Sequence, residues 1–303
     1  QAGLIFGRDL DAPVLQSFLK NARYVVGSIW REPSNRGQRV RRLVLFLGWQ
    51  LWKRTVRKPV VVGLFNGLRF RAYSDCHMSS AVLYARIPDS RDILYLRAHM
   101  GQGTLIDVGA NVGLVTLLLA DKLQNALLFE PNPIAAGRAR ANLELNGLPF
   151  EVHEIALSDT TGTVELEDEG GVSSCNRTVV GFSTSAPTRI VPCMQLDRFL
   201  ADHALSQPIS VIKIDVEGHE NSVLRGMMEC LRRHRPRVVM FEYLQRTNLR
   251  ESIALFETAG YTVLQLTPGG ASIATADTPP LQNLFACPHE LVMEFTGENT
   301  AQV

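Results

Sequence analysis

The sequence predicts an α/β fold with a mainly parallel sheet, preceded by a helical extension. From residue 104 onward, apolar runs of strand length alternate with segments of helix length, the pattern of a parallel sheet covered by helices on both faces. A glycine-rich turn, 107–113, follows the first of these strands. Two late apolar runs have no helix between them. They predict an antiparallel hairpin at one edge of the sheet.

The chain divides at residue 59 into a helical, basic N-terminal extension, 1–59, and one sheet domain, 60–303. The domain begins with a predicted hairpin at 60–73, whose turn residues Asn66 and Gly67 are expected to supply positive φ angles. Further strands are predicted at 104–108, 126–130, 150–157, 211–215, 238–243, 261–266 and 290–295. Helices are predicted at 112–122, at 133–146, after residue 215 to about residue 231, and at 248–259. A Gly/Pro-rich loop is expected at 268–280.

Composition narrows the classes of function. Hydrophobic residues make up 46% of the 303 residues and charged residues 20%, the balance of a globular protein. The net charge of +1 gives no reason to expect a nucleic-acid partner. The five cysteines are widely spaced and include no Cys-x-x-Cys pair, so free thiols in a cytoplasmic protein are expected. No apolar run reaches the roughly eighteen residues of a membrane-spanning helix.

The turn after the first predicted strand is the first part of a candidate cofactor site. Ligands of open parallel sheets bind beyond the carboxyl ends of the strands. Gly109 and Gly113 permit close backbone approach, and the helix after them presents unpaired N–H groups. Asn111 stands where a dinucleotide-binding turn would have its second glycine, the residue that makes room for pyrophosphate. The turn therefore differs from that of a dinucleotide-binding protein.

Acidic residues at successive strand ends complete this site. Asp107 is placed to face the cationic end of S-adenosylmethionine. Glu130 follows the second strand, where a carboxylate can accept both ribose hydroxyls, and Asp159 follows the third, where it can accept from the adenine amino group. This ordered series predicts a site for S-adenosylmethionine. Its candidate residues are Asp107, Gly109, Ala110, Asn111, Gly113, Glu130, Pro131, Ser158 and Asp159.

Six stretches between about residues 60 and 296 resemble the FkbM family of methyltransferases. They are LIDVGANVGLVTLLLA (105–120), LFEPNP (128–133), NLELNG (142–147), IALSD (155–159), SVIKIDVEGHE (210–220) and VVMFEY (238–243). The most distinctive feature is the combination of DVGANVG with IDVEGHE. The resemblance implies a class I methyltransferase (Rossmann-like) fold with seven strands in the order 3-2-1-4-5-7-6, strand seven being antiparallel.

The resemblance also implies an activity. It implies transfer of the methyl group of S-adenosylmethionine to an acceptor, a hydroxyl oxygen of a sugar, glycan or secondary metabolite. The partner is then a small-molecule or glycan acceptor. The residues that match the family's cofactor positions are Asp107, Gly109, Asn111, Gly113, Glu130 and Asp159.

Four residues are candidates for catalysis, because an alcohol acceptor must lose a proton. Asp215, Glu217 and His219 surround the end of the fourth strand, and Glu242 ends the fifth. For His219, a general base and an exposed loop histidine remain equally open. Glu220 is expected to cap a helix or to lie in solvent. Oxygen ligands from the three catalytic acids would suit Mg²⁺, but no metal is expected.

Two further segments leave alternatives open. The segment from Met78 to Ser80, with Tyr84, is interpreted either as a lid over the cofactor or, preferably, as a surface helix. Residues 36–58 hold eight basic residues and no acid around a Leu/Phe/Trp run. This helix either packs on the domain, the preferred interpretation, or lies on an anionic membrane. The second alternative implies peripheral contact at the inner face of the membrane.

Two other classes of function remain as alternatives to a methyltransferase. One is a nucleotide-binding module or NAD-type oxidoreductase on a similar sheet, against which the missing G-x-G-x-x-G argues. The other is a membrane-attached scaffold with a degenerate sheet domain, against which the complete series of acidic residues argues. The acceptor, the methylated position and the oligomeric state are left open.

Overall fold

The structure is a computed structural model that describes residues 25–167, 188–280 and 282–297. The strands are β1 Val60–Gly63, β2 Arg69–Ala72, β3 Thr104–Val108, β4 Asn125–Phe129, β5 Glu151–His153, β6 Ala156–Leu157, β7 Gly162–Glu167, β8 Thr188–Met194, β9 Ile209–Ile214, β10 Val238–Tyr243, β11 Tyr261–Thr267, β12 Gly270–Ile273 and β13 Gln282–Pro288. The helices are α1 Arg39–Thr55, α2 His77–Tyr84, α3 Ser90–His99, α4 Leu114–Leu119, α5 Pro133–Glu144, α6 Leu196–Asp202, α7 Glu220–Arg225, α8 Met228–His234, α9 Leu249–Thr258 and α10 Val292–Thr296.

The central sheet has the strand order β12-β11-β13-β10-β9-β3-β4-β5. Without β12, this is the order 3-2-1-4-5-7-6, and β13 runs antiparallel to both of its neighbours. The predicted class I topology is therefore confirmed. The additional strand β12 pairs with β11 as a hairpin, within the stretch 268–280 that was predicted to be a loop.

Two predicted strands are wrong. The run 150–157 divides, because β5 pairs with β4 in the central sheet whereas β6 pairs with β8 in a separate three-stranded sheet. The run 290–295 lies in a 3-10 turn followed by α10. The strand that pairs with β11 is instead β13, which lies between β11 and β10. Pro288 ends that strand because proline has no N–H to donate. Leu291, Val292 and Phe295 then have helical spacing, and Phe295 is buried.

Several other predictions differ from the structure in detail. The helix after residue 215 is two helices, α7 and α8, separated near Gly226. The remaining predicted helices are present, and α4 continues as a 3-10 turn to Lys122. In the hairpin of β1 and β2, Gly67 has a positive φ of 85° but Asn66 does not. The amide of Asn66 instead donates to the carbonyl of Leu117 at 2.8 Å.

The N-terminal extension is helical from residue 25 to residue 31 and again in α1, and residues 1–24 lie outside the described part. Helix α1 packs on α2, because Arg42 donates to the carbonyl of Val82 at 3.1 Å and Trp49 donates to Ser80 Oγ at 3.1 Å. Trp49 also belongs to the hydrophobic core on one face of the sheet. The division at residue 59 stays a prediction.

Apolar side chains cover both faces of the central sheet. In β3, Leu105 belongs to the core on one face, and Ile106 belongs to the core on the other, as expected when successive side chains point to opposite faces. The described cysteines are buried and free, and Cys175 lies outside the described residues. No helix in the described ranges is long and apolar enough to cross a membrane.

Candidate active site

A cavity of about 410 Å³ lies beyond the carboxyl ends of β3, β4, β9 and β10. Its wall contains two groups of residues. The first, which we call the turn region, consists of Gly109–Val112 and Glu130. The second, which we call the carboxylate cluster, consists of Asp215, Glu217 and Glu242. The strand order places both groups at the edge of the sheet where ligands of parallel sheets bind.

Glycine is required at position 109 for two reasons. Gly109 has φ 71°, which favours glycine, and a Cβ there would lie 1.9 Å from the carbonyl oxygen of Asp215. The turn after β3 therefore contacts the main chain after β9. Gly113 also has a positive φ, 76°, at the start of α4, and its added Cβ would lie 3.4 Å from Ala139 on α5. Gly113 is not part of the cavity wall, and it serves helix packing.

The N–H groups of the turn region are already bonded within the protein. Gly109 and Ala110 both donate to the carbonyl of Phe129, at 2.9 and 3.1 Å, and Gly113 donates to the carbonyl of Ala110. The N–H of Asn111 donates to Glu130 Oε2 at 2.8 Å. The turn therefore withholds these N–H donors from a phosphate group. Asn111 Oδ1, in contrast, is a buried acceptor without a partner.

Glu130 is a buried carboxylate that forms part of the cavity wall, together with Pro131. Its Oε1 accepts from the N–H of Asn132 at 2.8 Å, so each of its oxygens holds one backbone donor. Burial raises the pKa of Glu130 to about 7, and the two backbone hydrogen bonds oppose that rise. Each oxygen can accept a further hydrogen bond from a ligand hydroxyl.

Asp107 is fully buried and is not part of the cavity wall. Its Oδ2 accepts from Thr116 Oγ1 at 2.7 Å, and its Oδ1 lies 3.4 Å from Nζ of Lys213. The same Nζ donates to the carbonyl of Gly109 at 2.7 Å and lies 3.5 Å from Asp215 Oδ2. Lys213 thus connects the turn region to the carboxylate cluster. Neighbouring carboxylates outweigh its burial and raise the pKa of Lys213.

The carboxylate cluster brings three acids together, with one oxygen of each within 4.8 Å of the others. Glu217 accepts from Arg246 at 3.1 Å, whereas Glu242 Oε2 is buried without a hydrogen-bond partner. Burial and the charges of Asp215 and Glu217 raise the pKa of Glu242 to about 8. These are the three acids whose oxygens would suit Mg²⁺, although no metal was expected from the sequence, and acidic groups of this kind also form without a metal.

His219 also contributes to the cavity wall. Its Nε2 lies 2.9 Å from Ser158 Oγ, so it is not the exposed loop residue that the sequence left open. Burial lowers the pKa of His219, which favours the neutral ring at pH 7. Asp159 accepts from Arg225 at 2.9 Å. Neither Ser158 nor Asp159 forms part of the cavity wall.

Glu220 was expected either to cap a helix or to lie in solvent. It is fully buried, so the second of these alternatives is wrong. It accepts from the N–H of Gly218 at 2.8 Å and from Thr247 Oγ1 at 3.2 Å. It therefore fixes the loop that leads into α7. Farther along, a Cβ at Gly226 would lie 1.9 Å from the carbonyl oxygen of Ser158. This second close approach holds the segment after β6 against the start of α8.

Five polar residues of the cavity wall were not among the sequence candidates, and they are Asp89, Asp92, Lys213, Gln282 and Asn283. Lys213 is the charged residue of the buried strand β9, and a lysine in such an apolar run was a usable signal. Asp89, Asp92 and Asn283 also form part of the cavity wall, and Asn283 donates to Asp92 at 2.7 Å. Burial, with the charge of Asp92, raises the pKa of Asp89 to about 6. Asn283 could not be assigned because no strand was predicted at β13.

The strand order, the antiparallel β13 and the cavity beside an acid-terminated second strand define a class I methyltransferase fold. The family described as the Methyltransferase FkbM domain matches residues 107–263, which is more than half of the chain. The chain belongs to the FkbM methyltransferase family.

Two curated relatives are similar over part of their length. Hexuronic acid methyltransferase AglP of Haloferax volcanii is 28% identical over 127 residues, which cover 42% of this chain and 51% of AglP. Methyltransferase 1 of Beauveria bassiana is 27% identical over 143 residues, which cover 41% of this chain and 57% of that protein. The chain thus spans about half the length of these relatives.

Solved methyltransferase structures are also similar. An FkbM methyltransferase from Methylobacillus flagellatus matches with a TM-score of 0.38 and 15% identity, covering 61% of this chain and 43% of that one. An S-adenosylmethionine-dependent methyltransferase from Agrobacterium tumefaciens matches with a TM-score of 0.42 and 12% identity, covering 76% of this chain and 69% of that one.

Proposed function

We propose that the chain transfers the methyl group of S-adenosylmethionine to a hydroxyl oxygen of a small-molecule or glycan acceptor. One observation carries this proposal: a single cavity contains both the turn region and the carboxylate cluster. The first group suits an adenosyl cofactor, and the second suits an acceptor that must lose a proton. Membership of the FkbM family supports the same reaction.

The bonding of the turn region favours S-adenosylmethionine over a dinucleotide. A dinucleotide needs N–H donors for its pyrophosphate, but those of Gly109, Ala110 and Asn111 are already used. S-adenosylmethionine has no phosphate. We propose that its ribose hydroxyls donate to Glu130 and that its amino group donates to the unpartnered Asn111 Oδ1. Asp107 would act through Lys213, since it is not part of the cavity wall.

In the proposed reaction, the acceptor oxygen attacks the methyl carbon while the carbon–sulfur bond breaks. S-adenosylhomocysteine leaves as a neutral thioether, and the hydroxyl proton passes to a protein base. We assign this base to Glu242, because its Oε2 is buried and unpartnered and its pKa of about 8 is close to neutral. Asp215 and Glu217 would hold the acceptor, and His219 would orient the segment that carries Ser158 and Asp159.

The charge of the cavity favours a neutral, hydroxyl-bearing acceptor such as a sugar. Acidic residues of the cavity wall, among them Asp89, Asp92, Asp215 and Glu217, would repel the phosphates of a nucleic acid. Asn283 places an amide group beside the carboxylate of Asp92 in the cavity wall. Such a pair can form hydrogen bonds with sugar hydroxyls. A peripheral position at a membrane through residues 36–58 is also part of this proposal.

Calorimetric titration with S-adenosylmethionine, S-adenosylhomocysteine and NAD tests the cofactor first. We expect both sulfur compounds to bind and NAD not to bind, and tighter binding of NAD would contradict the proposal. Mass spectrometry of neutral sugars and glycans incubated with enzyme and S-adenosylmethionine then tests the acceptor. An added mass of one methylene group on oxygen is the expected product. Methylation confined to nitrogen or carbon would contradict O-methylation.

A further inference from the structure

Helix α1 has two different faces. Arg42, Phe46 and Trp49 are buried, and the first and last of these side chains donate to α2. The opposite face carries Val40, Val44, Leu47 and Leu51, with spacings of four, three and four residues. Their relative exposures are 69%, 63%, 57% and 64%. Packing on the domain thus occupies one face and leaves a second apolar face in solvent.

The exposed face is a continuous stripe rather than scattered residues. A spacing of four, three and four residues places side chains on one side of a helix. At a rise of 1.5 Å per residue, the stripe is about 16 Å long. Trp30, also exposed, lies beside the start of α1, because its ring is 5.9 Å from the guanidinium carbon of Arg39. Contiguous apolar surface of this kind marks an interaction site.

Exposed cations surround this stripe. They are Arg36 and Arg41 at its start and Arg54, Arg57 and Lys58 at its end. The chain has no acidic residue from position 33 to position 58. An aliphatic stripe with a tryptophan beside it and cations at its margins is the pattern of a helix that lies in the interface of an anionic bilayer.

We propose that the stripe Val40, Val44, Leu47 and Leu51 docks on the surface of an anionic lipid bilayer, with α1 parallel to the membrane plane. Charge complementarity decides between occupants. A second copy of the chain would place the same cations against each other, whereas an anionic surface strengthens binding about fivefold for each nearby cation. Helix α2 then lies between membrane and cavity, since Met78 of α2 forms part of the cavity wall and Ser80 accepts from Trp49.

Co-sedimentation of the full chain with lipid vesicles tests this proposal. Vesicles of phosphatidylcholine with 30% phosphatidylserine are compared with phosphatidylcholine alone at low salt. We expect at least tenfold tighter binding to the anionic vesicles and a loss of that difference in high salt. The double substitution Leu47→Gln with Leu51→Gln should weaken binding at least tenfold, and Arg41→Gln with Arg54→Gln should reduce its salt dependence.

Ile273→Gln is the matched control, because Ile273 is 57% exposed on β12, away from α1. It should bind anionic vesicles like the parent. Thermal unfolding of each variant shows whether the fold is retained, as expected for exposed positions. No binding to anionic vesicles at low salt would overturn the proposal, as would binding that the leucine substitutions leave unchanged. Dimerisation in sedimentation velocity that these substitutions abolish would assign the stripe to a second copy and overturn it as well.

Discussion

The turn region and the carboxylate cluster share one cavity, but the carboxylates of the two groups have opposite environments. Both oxygens of Glu130 hold backbone N–H groups, although the residue is almost fully buried. Glu242 instead faces Asp215 and Glu217, and one of its oxygens has no partner. A carboxylate whose oxygens are fixed by the main chain is suited to a ligand of constant structure. A carboxylate surrounded by like charges is suited to gaining a proton.

Gly109→Ala should have the largest effect on both groups, because Gly109 of the turn region contacts the main chain at Asp215 of the carboxylate cluster. The new Cβ would collide with the carbonyl of Asp215, so the main chain on both sides must move. Gly147→Ala is the control, since Gly147 has a similar φ of 64° and open space around it. We expect Gly109→Ala to lower the free energy of unfolding by about 1–3 kcal/mol beyond this control. Cofactor binding should be lost only in Gly109→Ala.

Urea denaturation and cofactor titration measure these two effects. Equal loss of stability in the two variants would contradict this prediction, because it would mean that moving the turn away from the chain after β9 does not lower the free energy of unfolding.

Glu242→Gln should separate chemistry from cofactor binding. Removal of a general base lowers turnover by about 10²–10⁴-fold, whereas the dissociation constant of S-adenosylmethionine should change less than threefold. Turnover of the parent should rise with pH through a midpoint near 8, because burial and neighbouring charges raise the pKa of Glu242 to about 8 and only the deprotonated carboxylate acts as a base. Single-turnover rates from pH 6 to 9 measure this profile. An unchanged profile in the variant would exclude Glu242 as the base.

Glu130→Gln should give the reverse result. The amide keeps the size of the side chain but removes its negative charge, so at least one proposed charge-assisted hydrogen bond from a ribose hydroxyl is lost. Such a bond contributes about 1.5–3 kcal/mol, which corresponds to a roughly ten- to hundredfold weaker cofactor affinity. Calorimetry measures that affinity, and saturating cofactor should restore most of the turnover. Parent-like affinity would contradict the placement of the ribose.

Stability should depend on pH through the same two acids. Their folded pKa values, about 7 for Glu130 and about 8 for Glu242, exceed the ordinary value of 4.5. The folded state therefore binds more protons, and stability present below pH 4.5 is lost as the pH rises toward 8. One fully coupled group gives about 1.4 kcal/mol per pH unit, and solvent reduces this value for the half-buried Glu242.

Urea denaturation at pH 5, 6, 7 and 8 should therefore show declining stability in the parent. The decline should be shallower in Glu130→Gln with Glu242→Gln. Stability that increases over this interval would show that ionisation of other groups dominates.

Among these substitutions, Asp159→Asn should have the smallest effect on cofactor binding. Asp159 is paired with Arg225, which also pairs with Glu251, and both partners of the first pair are partly exposed. Since Asp159 is not part of the cavity wall, cofactor affinity should fall less than threefold by calorimetry. A tenfold loss would restore the contact with the adenine amino group that the sequence predicts.

The turn after β3 could be predicted because its motif is local in sequence, and the order of the seven strands was predicted from the resemblance to the FkbM family. Local patterns could not show that the lysine of β9 lies between Asp107 and Asp215. Nor could they show where the third strand leaves the sheet. At the last strand, β13, the assignment was wrong because the apolar run after Pro288 suits a helix as well as a strand.

The main-chain contacts at Gly109 and Gly226 have a consequence for engineering. A collision with a backbone oxygen cannot be relieved by shortening a neighbouring side chain, so a compensating second substitution is not available at either position. Libraries that aim to change the acceptor should keep both glycines. Side chains of the cavity wall such as Met78 and Gln282 can be varied instead, since diversity there alters the shape of the cavity without changing the path of the chain.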